Sequence, residues 1–173
     1  KLGDTVDAVT VATPDHMHAL AAVAAMRRGK HVFCQKPLAH NLHETRVLTE
    51  LAREKRLVTQ MGIQIHSYKV YRQAAAIVQS GVIGKVKEVH TWSSKKWGDT
   101  GPAPDRADPV PETLDWDLWL GVAPHRPYRP ELVPSFWRGF TDYGTGSLGD
   151  MGCHQLDAPF YALDLGSPTS VES

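Results

Sequence analysis

Cysteine is scarce in this chain. Cys34 and Cys153 are the only two in 173 residues, they lie far apart, and no Cys-x-x-Cys pair exists. That usage fits a reducing compartment, by default the cytoplasm. An excess of charge is lacking as well: 19 Lys and Arg balance 19 Asp and Glu. Nothing therefore points to nucleic acid or to a membrane surface as partner. No apolar run reaches the ~18 residues that a membrane span needs, and no internal repeat is visible. What is present is ordinary for a globular protein, with 42% hydrophobic and 22% charged residues. The length suits one domain or pieces of two. The chain opens on Lys1 rather than Met, and it reads as a strand within a few residues. It closes on "GSPTSVES", where another strand could begin. The expectation is a piece of a longer polypeptide.

Residues 6–12 form a largely apolar run, as in a strand covered on both faces. Thr13-Pro14-Asp15 then opens a helix with Asp15 as its N-cap, and Arg27, Arg28 and Gly29 close it. Residues 32–34 form a second strand, and the stretch "HVFCQKPLAHN" ends it on an amide, a cation and a proline. Asn41 and Glu44 form a capping box for a second helix, with Leu48, Leu51 and Ala52 inward. A third strand covers residues 57–62. Strands alternating with helices at this spacing predict a parallel sheet with helical crossovers.

Beyond Gly62 the character changes. The periodicity predicts a helix over 68–79, with Tyr71, Ala74, Ala75 and Val78 inward, and a strand over 85–92. Residues 93–135 hold eight of the 12 prolines, and all five tryptophans fall between Trp92 and Trp137. A stretch so long and poorly periodic is functional or disordered, and its aromatic content argues against disorder. The tryptophans pack the loop against the domain or stack on a sugar face. A last helix covers 149–163, with Pro159 as an interruption.

"GTGSLG", at 144–149, matches G-x-G-x-x-G. No strand pattern precedes it in "PSFWRGFTDY", so a phosphate cradle is the weaker reading. The stronger is a glycine turn that lets backbone approach something closely. Asp150, His154 and Asp157 follow at i, i+4 and i+7, one face of a continuous helix. Cys153, Leu156, Phe160 and Leu163 would oppose them against a core. A histidine beside carboxylates suits proton transfer near neutral pH. A solvated polar face remains open, as does a metal site short of an obvious fourth ligand. His16 and His18 are two apart, a poor metal pair. Taken alone, Lys36 reads as a surface lysine after an edge strand.

"DAVTVATPDHMHALAAVAAMRRGKHVFCQKPLAHN" resembles the second half of the nucleotide-binding domain in the Gfo/Idh/MocA oxidoreductases. These include glucose-fructose oxidoreductase and inositol 2-dehydrogenase. "DYGTGSLGDMGCHQLD" resembles the same family's substrate-site motif, a glycine turn followed by D-x-x-x-H-x-x-D. "WDLWLGVAPHRPYRP" and "FWRGFTDYGTG" are similar to a Trp- and Pro-rich bacterial branch. The resemblance covers nearly the whole chain. It implies an α/β fold class: the C-terminal part of a Rossmann NAD(P)-binding domain over 1–62, then the start of an α/β domain with an open, mainly antiparallel sheet over 63–173. It implies NAD or NADP as cofactor, with hydride transfer to or from a hydroxyl-bearing carbon of a sugar or cyclitol. It also implies a homo-oligomer, dimer or tetramer, and a G-x-G-x-x-G half lying upstream of Lys1.

Carried over by residue, Lys36 matches the lysine of the family's Glu-Lys-Pro motif. It would touch cofactor and substrate and stabilise the charge that develops on the reacting oxygen. Gln35 stands where the family has Glu, beside the cofactor. Asp150 and His154 match the substrate-site pair, with His154 as proton acceptor and Asp150 as a substrate-hydroxyl ligand. Thr13, Pro14 and His18 match the turn that runs past the nicotinamide, and Trp137 and Arg138 resemble a pair that reaches the cofactor. No metal is expected. Two further readings keep the fold: a redox-neutral enzyme with tightly bound NAD that cleaves glycosides or performs eliminations, and a non-enzymatic nucleotide- or sugar-binding protein. The 173-residue chain by itself is expected to be inactive.

Overall fold

The computed structural model describes residues 5–98 and 106–172. Its apolar runs become β1 (Ala8–Val11), β2 (His31–Gln35) and β3 (Thr59–Gly62). They pair in parallel in the order β1-β2-β3. Val11 lies opposite Cys34, and Cys34 opposite Met61, so the three carboxyl ends finish along one edge. Parallel neighbours need crossovers; these are α1 (Asp15–Arg27) and α2 (Leu42–Lys55). Val11, Ala22, Met26, Val32, Cys34 and Leu48 close the core between sheet and helices.

The predicted cap of α2 forms, shifted by one residue. Asn41 Oδ1 accepts from the Glu44 N–H at 3.0 Å, while Glu44 Oε2 accepts from the N–H of His40 rather than of Asn41. Asp15 is not the cap of α1. Pro14 holds that position, and Asp15 is buried in the first turn, where it accepts from Thr145 Oγ1 at 2.9 Å. A tertiary donor outcompetes the local amides for this carboxylate.

The expected open, mainly antiparallel sheet is corrected by the structure. The sheet among the described residues is three-stranded, wholly parallel, and confined to residues 8–62. Residues 85–92 carry no strand. A strand exists through its ladder, and no described backbone group bonds to these residues. Their apolar side chains are used all the same: Val86, Val89 and Thr91 line a cavity of about 300 Å³ with α3 (Lys69–Gln79) and α5 (Gly146–Leu163).

The inward stripe of α3 faces this cavity through Tyr71, Ala74, Ala75 and Val78. α5 begins at Gly146, earlier than its periodicity implied, and continues through Pro159. Its apolar stripe holds in part: Leu163 lines the cavity with α3. Leu156 and Phe160 are 48% and 41% exposed, because α3 meets α5 on the face of Ala158 and Ala162 instead.

Between these helices, residues 106–145 order themselves with little regular structure, only α4 (Trp116–Leu120) and a 3₁₀ turn at Phe136–Gly139. Trp116, Leu120, Tyr128, Leu132, Trp137 and Tyr143 form a second core. Trp116 stacks on Trp119 at 4.8 Å and meets Tyr128 edge-on. The buried His16 joins this core to α1: its ring lies 3.1 Å from Leu120 O and 3.3 Å from Tyr143 O. No helix among the described residues is long and apolar enough to cross a membrane.

Candidate active site

The turns after β1 and β2 meet at the carboxyl edge of the sheet. His18 is wholly buried beneath them. Its Nε2 lies 2.7 Å from Thr13 O and its Nδ1 2.7 Å from Pro37 O, so the ring straps one turn to the other. The Lys36–Pro37 peptide is cis. Above this strap opens a cavity of about 410 Å³, whose walls include Thr13, Pro14, Gln35, Lys36, Trp137 and Arg138. Six of the seven residues assigned to the cofactor by resemblance thus share one cavity. The seventh, His18, lies below it and reaches it only through the turns it holds.

Lys36 is no surface lysine. Its ammonium donates to Asp150 Oδ1 at 2.6 Å and to the Asp150 carbonyl at 2.9 Å, and both side chains are largely buried. Trp97 Nε1 donates to the other carboxylate oxygen at 2.7 Å, and Arg138 Nε lies 3.5 Å from Oδ1. Burial raises the Asp150 pKa, but the Lys36, Trp97 and Arg138 interactions outweigh it and hold the carboxyl below its usual range.

His154 does not line the cavity of Lys36; it lines another, of about 560 Å³, with Gln64, Tyr71, Thr91 and Gln155. Its Nδ1 is buried and without a hydrogen-bond partner among the described residues. Burial first, then the charge of Lys36, lowers its pKa, so the ring is neutral at neutral pH. Asp157 does not orient it. That carboxylate instead accepts from Tyr71 Oη at 2.6 Å and pairs with His66 Nδ1 at 3.0 Å. The polar stripe of α5 therefore splits into two clusters, around Asp150 and Asp157, with His154 between them.

The glycine turn serves close approach. A Cβ on Gly144 would lie 2.6 Å from the Cα of Arg138. Lacking one, the turn presses against Phe136–Gly139 and sets the place of Trp137 and Arg138, whose guanidinium lies over the indole at 4.3 Å. The helix N-terminus behind it is used internally, since Ser147 N–H donates to Trp97 O at 3.0 Å. No group of three or more His, Cys, Asp or Glu among the described residues is arranged to hold a metal.

Several residues escaped the sequence reading. Asp15 and Trp119 line the cavity of Lys36. Burial raises the Asp15 pKa against the opposing pull of Thr145, His18, Arg138 and Lys36. Asp15 was legible only as a cap. Trp97 had no signal beyond membership of an aperiodic stretch. His66 sits in a short 3₁₀ turn, Gln64–Ser67, that no pattern marks.

Comparison with known proteins gives two family matches: an oxidoreductase-family NAD-binding Rossmann fold over residues 2–63, and an oxidoreductase-family C-terminal α/β domain over residues 68–173. A levoglucosan dehydrogenase of Pseudarthrobacter phenanthrenivorans is 26% identical over 155 residues, covering 90% of this chain and 32% of that protein. The 2,7-anhydro-N-acetylneuraminate hydratase of Escherichia coli is 30% identical over 95 residues, covering 53% and 26%. Among solved structures, an inositol dehydrogenase homologue of Azotobacter vinelandii, complexed with NADH and myo-inositol, is 34% identical. That match covers 47% of this chain and 22% of the other, with a TM-score of 0.46. The chain spans about a third or less of the length of these relatives.

Proposed function

The chain belongs to the Gfo/Idh/MocA oxidoreductase family, and from that premise we propose that it carries part of the active site of an NAD(P)-dependent oxidoreductase acting on a hydroxyl-bearing carbon of a sugar or cyclitol. The observation that supports this reading most is the buried Lys36–Asp150 pair. It stands beside a cavity at the carboxyl ends of β1 and β2, where open α/β sheets take their ligands. The walls suit a nicotinamide: flat apolar surfaces at Trp119, Trp137 and Pro134, with polar groups at Thr13 and Gln35. When bound there, NAD or NADP supplies the hydride acceptor or donor.

Lys36 donates to the substrate oxygen and stabilises the negative charge that develops on it. Asp150 fixes Lys36. Each carboxylate oxygen accepts more than one hydrogen bond, so Asp150 keeps lone pairs for a substrate hydroxyl. The neutral His154 takes the proton of the reacting hydroxyl, and its depressed pKa keeps it unprotonated as pH falls. Gln35 leaves Asp150 as the one carboxylate within ion-pair distance of Lys36 among the described residues. The same proposal sets the domain boundary at 62/63, the protein in the cytoplasm, and the assembly as a homodimer or tetramer.

The test uses the full-length enzyme with NAD or NADP, and levoglucosan and myo-inositol as probes. Cofactor reduction is expected, with an acid limb below the ordinary imidazole pKa of ~6.5. His154→Asn is expected to lower kcat/KM by about 10²–10⁴-fold. An unchanged rate in that variant overturns the reading. A redox-neutral reaction is the second reading, favoured by the similarity to the hydratase. It expects nicotinamide nucleotide to co-purify and no reduced cofactor to accumulate.

A further inference from the structure

We propose that Trp97 is a positioning residue of this site, whose indole N–H pins the Asp150 carboxylate in the orientation that serves Lys36. The inference rests on the assignment of Lys36 and Asp150 above.

Three observations carry it. The two oxygens of Asp150 are held by donors from two distant segments: Oδ1 by Lys36 at 2.6 Å, and Oδ2 by Trp97 Nε1 at 2.7 Å. A carboxylate gripped at both oxygens cannot rotate about its terminal torsion without breaking one of them. Trp97 is itself fixed by the helix that carries Asp150. Trp97 N–H donates to Ser147 Oγ at 2.8 Å, Ser147 N–H donates back to Trp97 O at 3.0 Å, and Ser147 Oγ also lies 3.0 Å from Lys95 O. Ser147 precedes Asp150 by three residues on α5, so clamp and carboxylate share one helix face. Finally, the indole packs edge-on at 5.7 Å against Phe136, the first residue of the 3₁₀ turn that brings Arg138 to Asp150.

The chemistry suits the place. An indole N–H is a donor only and does not titrate in the working range. It steadies an anion without adding a charge that would compete with the ammonium of Lys36. The charged and titratable groups facing Asp150 are Lys36 from the end of β2, Arg138 from the 3₁₀ turn, and Cys153 and His154 from α5 itself.

The test uses full-length enzyme loaded with NADH and labelled with ¹³C at the aspartate carboxyls, the Asp150 resonance being assigned with Asp150→Asn. Trp97→Phe keeps the ring and removes the donor. The Asp150 titration is expected to move to higher pH in this variant. With levoglucosan or myo-inositol, kcat is expected to fall roughly tenfold, the scale of one hydrogen bond to a charged group, with little change in KM. Ser147→Ala loosens the clamp and is expected to shift the titration in the same direction by less. An Asp150 titration that stays at the wild-type value in Trp97→Phe overturns the proposal. Should that variant not fold, an unmoved titration in Ser147→Ala overturns it instead. A moved titration in an enzyme that turns over neither sugar supports the role of Trp97 and counts against the reaction proposed above.

Discussion

Val11, Met26, Val32 and Leu48 close one core from strands and helices of regular spacing, while Trp116, Leu132, Trp137 and Tyr143 close the other from a stretch holding one short helix and a 3₁₀ turn. In the first, backbone hydrogen bonding sets the geometry and modest side chains fill it. In the second, large rings supply the order, and the backbone follows them. The Lys36 cavity lies between the two. The sheet side contributes its turns, Thr13–Pro14 and Gln35–Lys36, and the aromatic side contributes Trp119, Trp137 and Arg138. A lysine at a strand end is a rigid fixture. Walls made of packed rings respond to any change in that packing.

The largest expected effect tests whether the two cores stand or fall together. Trp116→Ala removes a buried ring stacked on Trp119 and a hydrogen bond from Nε1 to Arg126 O. It is expected to cost about 3–5 kcal/mol in denaturant unfolding. Hydrogen exchange then sharpens the comparison. Separate cores leave the β1–β3 amides protected in the variant; joint loss of protection shows the His16 seam coupling them.

Gly144→Ala comes next. The added Cβ meets the Arg138 backbone, which must shift and so disturbs the 3.5 Å approach of Arg138 to Asp150. A loss of about 1–3 kcal/mol is expected, together with weaker NADH binding measured by fluorescence. Undiminished affinity would show that the ring-built wall adapts without loss. Asn41→Ala touches only the cap of α2, on the sheet side, and is expected to cost about 1 kcal/mol with no change in NADH affinity. The smallest effect concerns Cys34. Burial pushes its thiol up to about 11, so almost no thiolate exists near neutral pH. Iodoacetamide should label it in urea and leave it unlabelled in the native protein; rapid native labelling would show that the first core opens readily.

The legible part of the molecule is the part with a period. β1, α1, β2, α2 and β3 follow the apolar spacing and the Asn41–Glu44 box to within a few residues. α3 shows the inward stripe read for it. Residues 85–92 carry a strand-like pattern as well, yet alternation states only which face is apolar. Without a ladder among the described residues it makes no strand. The stripe of Leu156 and Phe160 fails for a related reason: a helix has several candidate faces, and the packing of α3 chose another.

The site divides along the same line. Sequence alone determined the chemical inventory: a lysine at the end of a strand, an Asp and a His one helical turn apart, and a glycine turn before them. These depend on neighbours in the chain, which local geometry relates directly. Tertiary structure decided who meets whom. It put Asp150 on Lys36, gave Asp157 to His66 and Tyr71, buried Asp15 against Thr145, and brought Trp97 to the second oxygen of Asp150. Those contacts join residues 53 to 130 positions apart. No local periodicity relates positions so distant; the packing of one element on another does.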